Sequence, residues 1–228
     1  MPRRTKAEAE ATREALLDAA EELFLTQGVS HTSLEQIARR AGMTRGAVYW
    51  HFRNKAALFD AMIDRVKLPL KQLIADLENP DLAHQPLEGI KQAFKLAFAR
   101  FEQPRYQRVY TILFYRCEST DELNPSARQN ALIRESFDHM VTLLKQAQQN
   151  NQLKTQLAAP CTARLLHLTM LGLVHDWLRD PTQYAIRDEG NKVVDALFSL
   201  ITRDATDLAA PDVDAAASTE RCNKMRKQ

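Results

Sequence analysis

The sequence predicts an all-α protein, and two features of its patterning support this. Only six glycines occur in 228 residues, and no run of alternating apolar and polar residues is long enough for a β-strand. Apolar residues instead recur at intervals of three and four along the whole chain, the spacing of amphipathic helices. We expect about nine helices, divided between a small N-terminal three-helix unit and a larger helical domain.

The first helix is predicted from about Glu8 to Thr26. Leu16 and Leu23 lie two turns apart on its apolar face, and Gly28 follows as a C-terminal stop. A basic N-terminal arm, residues 1–9, precedes and overlaps the start of this helix.

Two short helices follow, joined by a tight turn. Ser33 and Gln36 have the spacing of a capping box, which predicts that a second helix starts here and ends at Gly42. Thr44 then has the position of an N-cap for a third helix that runs to Phe52. A turn of about three residues between two such helices is typical of the helix-turn-helix.

The rest of the chain continues in helices. Asn54 caps a fourth helix, which Pro69 kinks or breaks, and the boundary between the domain of residues 10–67 and that of residues 68–204 is expected there. The tail, residues 205–228, lacks periodicity and is predicted to be disordered. The further helices are expected at a Phe-rich segment spanning Phe94 to Phe101, at Tyr106 to Cys117, at Pro125 to Gln149, at Pro160 to Leu178 and at Asp188 to Thr202.

Composition excludes several classes of protein. No stretch of about 18 apolar residues exists, and the N-terminus is charged where a signal peptide needs an apolar run, so we expect a cytoplasmic protein with no membrane contact. The three cysteines Cys117, Cys161 and Cys222 form no CxxC pair, so neither disulfides nor a zinc ribbon is indicated. No phosphate loop, nucleophile elbow or H-E-x-x-H pair occurs, so we expect no enzyme, no cofactor and no metal.

Local charge favours DNA as the partner of the two short helices. The net charge is only +2, but five basic and no acidic residues lie between Arg39 and Lys55. In a helix-turn-helix the second helix enters the major groove, where Arg45 can read a guanine edge and Tyr49 can bind phosphate. Taken singly, each such residue is as often structural. The candidate DNA-binding residues are Thr32, Ser33, Thr44, Arg45, Gly46, Ala47, Tyr49, Trp50, His51 and Lys55.

Residues 32–63, TSLEQIARRAGMTRGAVYWHFRNKAALFDAMI, closely resemble the helix-turn-helix of the TetR family of repressors. Among the anchor positions of the family pattern only Met43, which replaces valine, departs. The opening residues and TRGAVYWHF are similar to the branch that controls multidrug efflux operons, the AcrR-like repressors. ILFYRCE and LGLVHDWLRDPTQYAI extend this similarity, although Tyr115 stands where that branch has histidine and Asp176 is displaced.

The resemblance implies a homodimer that binds a double-stranded palindromic operator. In the family the last two long helices pack against those of the partner. The last but one helix is apolar nearly all round, as such a role requires, although a central core helix in a monomer would have the same pattern. The residues expected at the dimer interface are Leu166, Met170, Leu173, Trp177, Val194, Leu197 and Ile201.

The resemblance also implies a cavity for a small lipophilic, drug-like inducer among the middle helices. Ligand binding would favour a dimer whose recognition helices no longer match the operator, with the segment from Asn54 to Pro69 as the hinge. Ordinary core packing is an alternative for each cavity residue. The candidate ligand-binding residues are Phe94, Phe98, Phe101, Tyr110, Phe114, Glu118, Phe137, Met140, His167 and Met170, with His139 as a further polar candidate.

Two other regulatory roles stay open at this point. A TetR-type regulator of metabolic genes would have the same fold. A metal-responsive regulator would need His139, His167, His175, Cys117 and Cys161 to converge, although none is paired at i, i+4 on one helix.

Overall fold

The structure is a computed structural model that describes residues 6–67, 69–75, 79–118, 125–154 and 158–203. In this part of the chain it is all-helical, which confirms the predicted fold class, and it contains one isolated bridge between Leu153 and Thr202. A short 3₁₀ helix lies at Pro80–Ala83. The α-helices are α1 Lys6–Gln27, α2 Leu34–Arg40, α3 Arg45–His51, α4 Lys55–Asp64, α5 Leu70–Ala75, α6 Pro86–Phe101, α7 Pro104–Tyr115, α8 Pro125–Gln149, α9 Ala159–Arg179 and α10 Ile186–Ile201.

Side-chain caps start the short N-terminal helices where the sequence places them. Ser33 Oγ accepts from the backbone of Gln36 at 3.2 Å, and the Gln36 amide oxygen accepts from the Ser33 backbone at 2.7 Å. The side-chain oxygens of Thr44 and Asn54 each accept one backbone N–H bond, at 3.2 and 2.8 Å, and so cap α3 and α4. The turn after α2 passes through Gly42 at φ +69°, a left-handed conformation that glycine adopts without strain.

The fourth helix predicted from the sequence is broken at Pro69 into two separate helices. Helix α4 ends at Asp64 and α5 begins only at Leu70, so the described residues form ten α-helices where about nine were expected. Proline lacks the N–H that would continue the helix. Helix α1 begins at Lys6, inside the predicted basic arm. Residues 1–5 of that arm and the tail 205–228 lie outside the described residues, and no described helix is both long and apolar enough to cross a membrane.

Buried apolar side chains form two cores. The N-terminal core joins α1 to α4, and the second core joins α5, α6, α8, α9 and α10. Helix α7 lies in residues 68–204, which the sequence assigns to the second domain. Its Val109, Ile112 and Leu113 nevertheless belong to the N-terminal core, whereas Phe114 packs against the second. Tyr110 packs against both, so α7 joins the two cores.

Helices α6 and α10 pack closely at a single glycine. Gly190 lies directly against the ring of Phe98, which is fully buried, and a β-carbon at this position would overlap that ring. The Phe98 side chain is therefore held by the backbone of α10.

We predict that Gly190→Ala lowers the free energy of unfolding by about 1–3 kcal/mol, because the added methyl group overpacks the core. Urea unfolding followed by circular dichroism measures this. Gly89→Ala is the matched control, because Gly89 also lies buried in a helix but a β-carbon there would be 3.8 Å from its nearest neighbour, an ordinary contact. A loss of stability equal in both variants would contradict the assigned contact.

Candidate DNA interface and ligand cavity

The recognition helix α3 presents one face to solvent and anchors the other in the core. Val48 is fully buried and Phe52, at its C-cap, is nearly so. On the opposite side the Arg45 side chain is 74% exposed and Trp50 is 73% exposed. A tryptophan side chain that is already this exposed gives up few packing contacts when it enters a groove, so this face is available to a partner.

Glu35 of α2 holds two of the predicted DNA-binding side chains together. Its Oε1 accepts from the Tyr49 hydroxyl at 3.0 Å and lies 3.2 Å from Arg45 Nε. A bond to its own backbone N–H and the bond from Tyr49 lower the pKa of the Glu35 carboxyl, so it is ionised at neutral pH. Glu35 is not among the residues predicted from the sequence, because a carboxylate in the first turn of a helix is common at helix ends.

A polar recess lies between the α1–α2 loop and the start of α4. It gathers Thr32, Ser33, Tyr49 and Lys55 from the predicted set. Two basic residues that were not predicted, His31 and Arg53, line the same recess.

Two of these residues have structural roles in the recess. Lys55 Nζ donates to the carbonyl oxygens of Val29, Ser30 and Thr32 at 2.8, 3.3 and 3.1 Å. Since an ammonium group has three donors, these bonds use all of them. Thr32 is 2% exposed, and its hydroxyl donates to Gly28. Lys55 therefore holds the α1–α2 loop in place, and its contact with DNA stays a prediction.

An apolar cavity of about 200 Å³ lies where α4, α6, α7, α8 and α9 meet. Its wall is drawn from both cores: Ile63, Val66 and Val109 belong to the N-terminal core, and Phe94 and Val174 to the second. Of the predicted ligand-binding residues, those that line it are Phe94, Phe101, Tyr110, Phe114, Met140, His167 and Met170.

The other three predicted ligand-binding residues lie elsewhere. Phe98 packs against α10, as described above. The Phe137 ring lies under the Arg164 guanidinium at 4.3 Å. Glu118 is exposed and accepts from the Ser30 hydroxyl at 3.3 Å, so it faces the α1–α2 loop. Phe98 and Phe137 are of the same residue type as the phenylalanines that line the cavity, and only the packing distinguishes them.

Most residues expected at the dimer interface lie inside the protomer. Leu166, Trp177, Val194 and Ile201 are between 0 and 4% exposed and belong to the second core. The side of α9 and α10 that faces solvent instead carries Leu165, Leu168 and Leu200, which are 42, 55 and 70% exposed. Met170, Leu173 and Leu197 are partly buried against the second core.

A buried carboxylate joins α1 to α4 and α7, two of the helices that line the cavity. Glu21 is fully buried and binds Arg65, at the end of α4, at 2.8 Å and Arg108 of α7 at 3.0 Å. Arg105 lies at 3.7 Å, and Arg65 also binds Asp18. Burial raises the pKa of Glu21 above its ordinary value, although the hydrogen bond from Arg108 and the charges of the arginines oppose this rise. The three cations around the carboxylate favour its ionised form.

The end of α7 also bonds to the α1–α2 loop. The Arg116 carbonyl accepts from the Val29 N–H at 2.9 Å, and the Val29 carbonyl is one of those bound by Lys55 at the start of α4. A movement of α7 would therefore reach the loop beside α2 and α3.

Nothing among the described residues resembles a metal centre. No group of three His, Cys, Asp or Glu side chains in this part of the chain is arranged so that it could hold a metal ion. Burial also raises the pKa of the Cys117 thiol to about 11, which disfavours the thiolate that metals bind.

A helix-turn-helix joined to a second helical domain with an apolar cavity defines a DNA-binding regulatory protein. The family comparison is specific. Residues 16–62 match the profile of bacterial regulatory proteins of the tetR family, and residues 85–203 match the C-terminal region of MAATS-type transcriptional repressors. The chain belongs to the TetR family, as its resemblance in sequence predicts.

Its relatives include repressors of efflux systems. It is 41% identical to NalD of Pseudomonas aeruginosa, the secondary repressor of the MexAB-OprM multidrug efflux pump, with a TM-score of 0.78 over 87% of this chain and 100% of that one. SmeT, the repressor of the Stenotrophomonas maltophilia pump SmeDEF, is 32% identical, with a TM-score of 0.71 over 86 and 93% of the chains. The transcriptional repressor BepR of Brucella suis is 34% identical over 200 residues, 86% of this chain and 94% of that one.

We predict that Lys55→Met lowers the free energy of unfolding by about 1–3 kcal/mol, because three partly buried carbonyls lose their donor. Thermal unfolding measures this. Arg53→Met is the control: this neighbouring exposed residue should change stability by less than about 0.5 kcal/mol and weaken only DNA binding. Unchanged stability in Lys55→Met would show that the ammonium is not needed by the loop.

Proposed function

We propose that this protein is a homodimeric transcriptional repressor of a multidrug efflux operon, which small lipophilic ligands release from a palindromic operator. It acts on DNA, hence in the cytoplasm, and has no catalytic step. The observation on which the proposal depends is the position of the apolar cavity between the two cores. One site thereby contacts both the N-terminal core, in which Val48 anchors α3, and the second core. Two of the relatives described above, NalD and SmeT, repress multidrug efflux pumps and support the choice of operon.

The exposed face of α3 supports the operator contact. Thr44, Arg45 and Gly46 lie at its N-terminus, where unpaired N–H groups and the helix dipole favour phosphate. Glu35 holds Arg45 beside Tyr49, so the arginine approaches DNA partly ordered. We assign base reading to Arg45, phosphate contacts to Tyr49, His51 and the recess at the start of α4, and close backbone approach to Gly46 and Ala47.

The exposed leucines on α9 and α10 support a dimer. Leu165, Leu168 and Leu200 would be covered if α9 and α10 of two protomers packed together as a four-helix bundle. We therefore shift the proposed interface from the buried Leu166, Trp177, Val194 and Ile201 to this outer face. A two-fold axis through the bundle presents two recognition helices to one palindrome.

Release by ligand follows from differential affinity for two arrangements of the dimer. A ligand that fills the cavity separates the Val109 side of α7 from the Phe94 side of α6. The ion pairs of Glu21 with Arg65, Arg105 and Arg108, the Glu21 cluster, then transmit a shift of α7 to α1. Ligand and operator then favour different spacings of the recognition helices, which is sufficient for allosteric release.

Fluorescence anisotropy on the intergenic DNA beside the gene tests the function. The full-length protein is titrated at two salt concentrations, with and without a panel of lipophilic drugs. We expect selective binding that one or more drugs reverse. Selective binding that no drug disturbs would overturn the efflux assignment, and the absence of selective binding would overturn the repressor.

We predict that Arg45→Ala costs about 1–3 kcal/mol of operator binding and relaxes specificity at one base position in each half-site, because a bidentate guanine contact is lost. Tyr49→Phe should instead weaken binding to all sequences alike, since it removes a phosphate contact. Anisotropy on operators with single base changes separates the two. An Arg45→Ala variant with full affinity would refute α3 as the reading helix.

We predict that Glu21→Gln reduces the coupling between ligand and operator without weakening ligand binding. The variant keeps the shape of the side chain but loses the charge that attracts Arg65 and Arg108, at a cost in stability of up to about 3 kcal/mol. The measurement is the ratio of operator affinities with and without drug, together with drug affinity from calorimetry.

Asp195→Asn is the matched control for this variant. Asp195 also binds two cations, Lys91 and Lys95 at 2.9 and 2.7 Å, but both lie within the ligand domain. We expect its coupling ratio to stay that of the unmodified protein. Equal ratios in all three proteins would show that the Glu21 cluster does not transmit the signal.

A further inference from the structure

The polar groups in the wall of the cavity include a positive charge but no negative one among the described residues. Lys67, Ser136 and His167 contribute its polar character, together with Tyr110, whose hydroxyl already donates to the Val66 carbonyl at 3.4 Å. No Asp or Glu is among the described residues that line it. The cavity therefore offers a positive charge and neutral hydrogen-bonding groups.

Lys67 lies between α4 and α5, at the point where Pro69 interrupts the helix. Its side chain is 30% exposed, so this part of the wall is close to solvent, and its Nζ is 2.5 Å from Asp64 Oδ1. Asp64 does not line the cavity, and its side chain is 47% exposed. A partly exposed pair of this kind is weak, so an anionic ligand group can take the place of Asp64.

His167 adds no second charge. Burial and the neighbouring Arg164 lower the pKa of its imidazole, so the ring is neutral at physiological pH and can both donate and accept a hydrogen bond. It suits a hydroxyl or carbonyl group of a ligand.

A cation in this cavity would lose its hydration without gaining a counter-charge. Aromatic faces such as those of Phe101 and Phe114 attract cations, but that gain is smaller than the hydration lost, and Lys67 opposes it. An aromatic anion, by contrast, places its ring among the phenylalanines and its charge near the ammonium group.

We propose that Lys67 makes this cavity selective for uncharged and anionic aromatic ligands, such as phenols and aromatic carboxylates, over aromatic cations. This proposal rests on the ligand-responsive function proposed above. Lys67 is thus the residue that determines charge specificity within a cavity whose affinity comes from apolar contacts.

Isothermal titration calorimetry on the full chain, with three naphthalene probes of one shape, tests the proposal: 2-naphthoate is anionic, 2-naphthamide neutral and 2-naphthylmethylammonium cationic. We expect the anion to bind more tightly than the cation by on the order of tenfold. Lys67→Met should weaken 2-naphthoate by on the order of fivefold and leave 2-naphthamide within about twofold. Lys67→Glu should reverse the order of anion and cation.

Lys71→Met is the control, because Lys71 is an exposed lysine on α5 that does not line the cavity; it should leave all three affinities unchanged. Equal binding of anion and cation, or a Lys67→Met variant that keeps its affinity for 2-naphthoate, would overturn the proposal and leave the repressor function standing. If no probe binds while drugs still release the operator, the charge selectivity is likewise overturned. If neither probes nor drugs bind, the ligand-responsive function itself fails.

Discussion

The buried carboxylate of Glu21 is the constraint around which the two cores are arranged. A charge removed from water is tolerated only where opposite charges and donors replace the water, so Arg65 and Arg108 must stay within hydrogen-bond distance of it. Arg65 lies at the end of α4 and Arg108 on α7, and Glu21 itself on α1. One side chain thereby fixes the mutual position of three helices from two parts of the chain.

Helix α7 does not belong to one domain alone, because its two sides pack against different cores. Val109 and Leu113 complete the N-terminal core, whereas Phe114 packs against the second core, and all three line the cavity. The cavity is therefore not an internal defect of the ligand domain. It is a gap at the junction of two cores, where filling it changes the relation between them with little disturbance within either.

Contacts within the protein hold the side chains of the proposed DNA-reading surface in place. Glu35 holds Arg45 and Tyr49, Lys55 holds the loop before α2, and side-chain caps start α2, α3 and α4. Side chains that are already positioned lose less entropy on binding. A small movement of α7, which bonds to the same loop through the Arg116 carbonyl, can therefore displace the surface as a unit.

The sequence by itself determined the helical fold, the start of each short N-terminal helix and the helix-turn-helix. These depend on interactions within four residues, such as the Ser33–Gln36 capping box and the turn at Gly42, and local spacing records them directly. Seven of the ten predicted ligand-binding residues line the cavity, and two of them, Phe94 and Phe101, lie two turns apart on one face of α6.

Only the tertiary structure decided which of several similar residues faces which neighbour. Leu165 is exposed and Leu166 buried on the same helix, Phe94 lines the cavity whereas Phe98 packs against Gly190, and Lys55 bonds to the loop before α2. The partners of Glu21 are separated from it by more than forty residues in the chain. Contacts at such distances depend on how helices pack, and composition and periodicity contain no record of that packing.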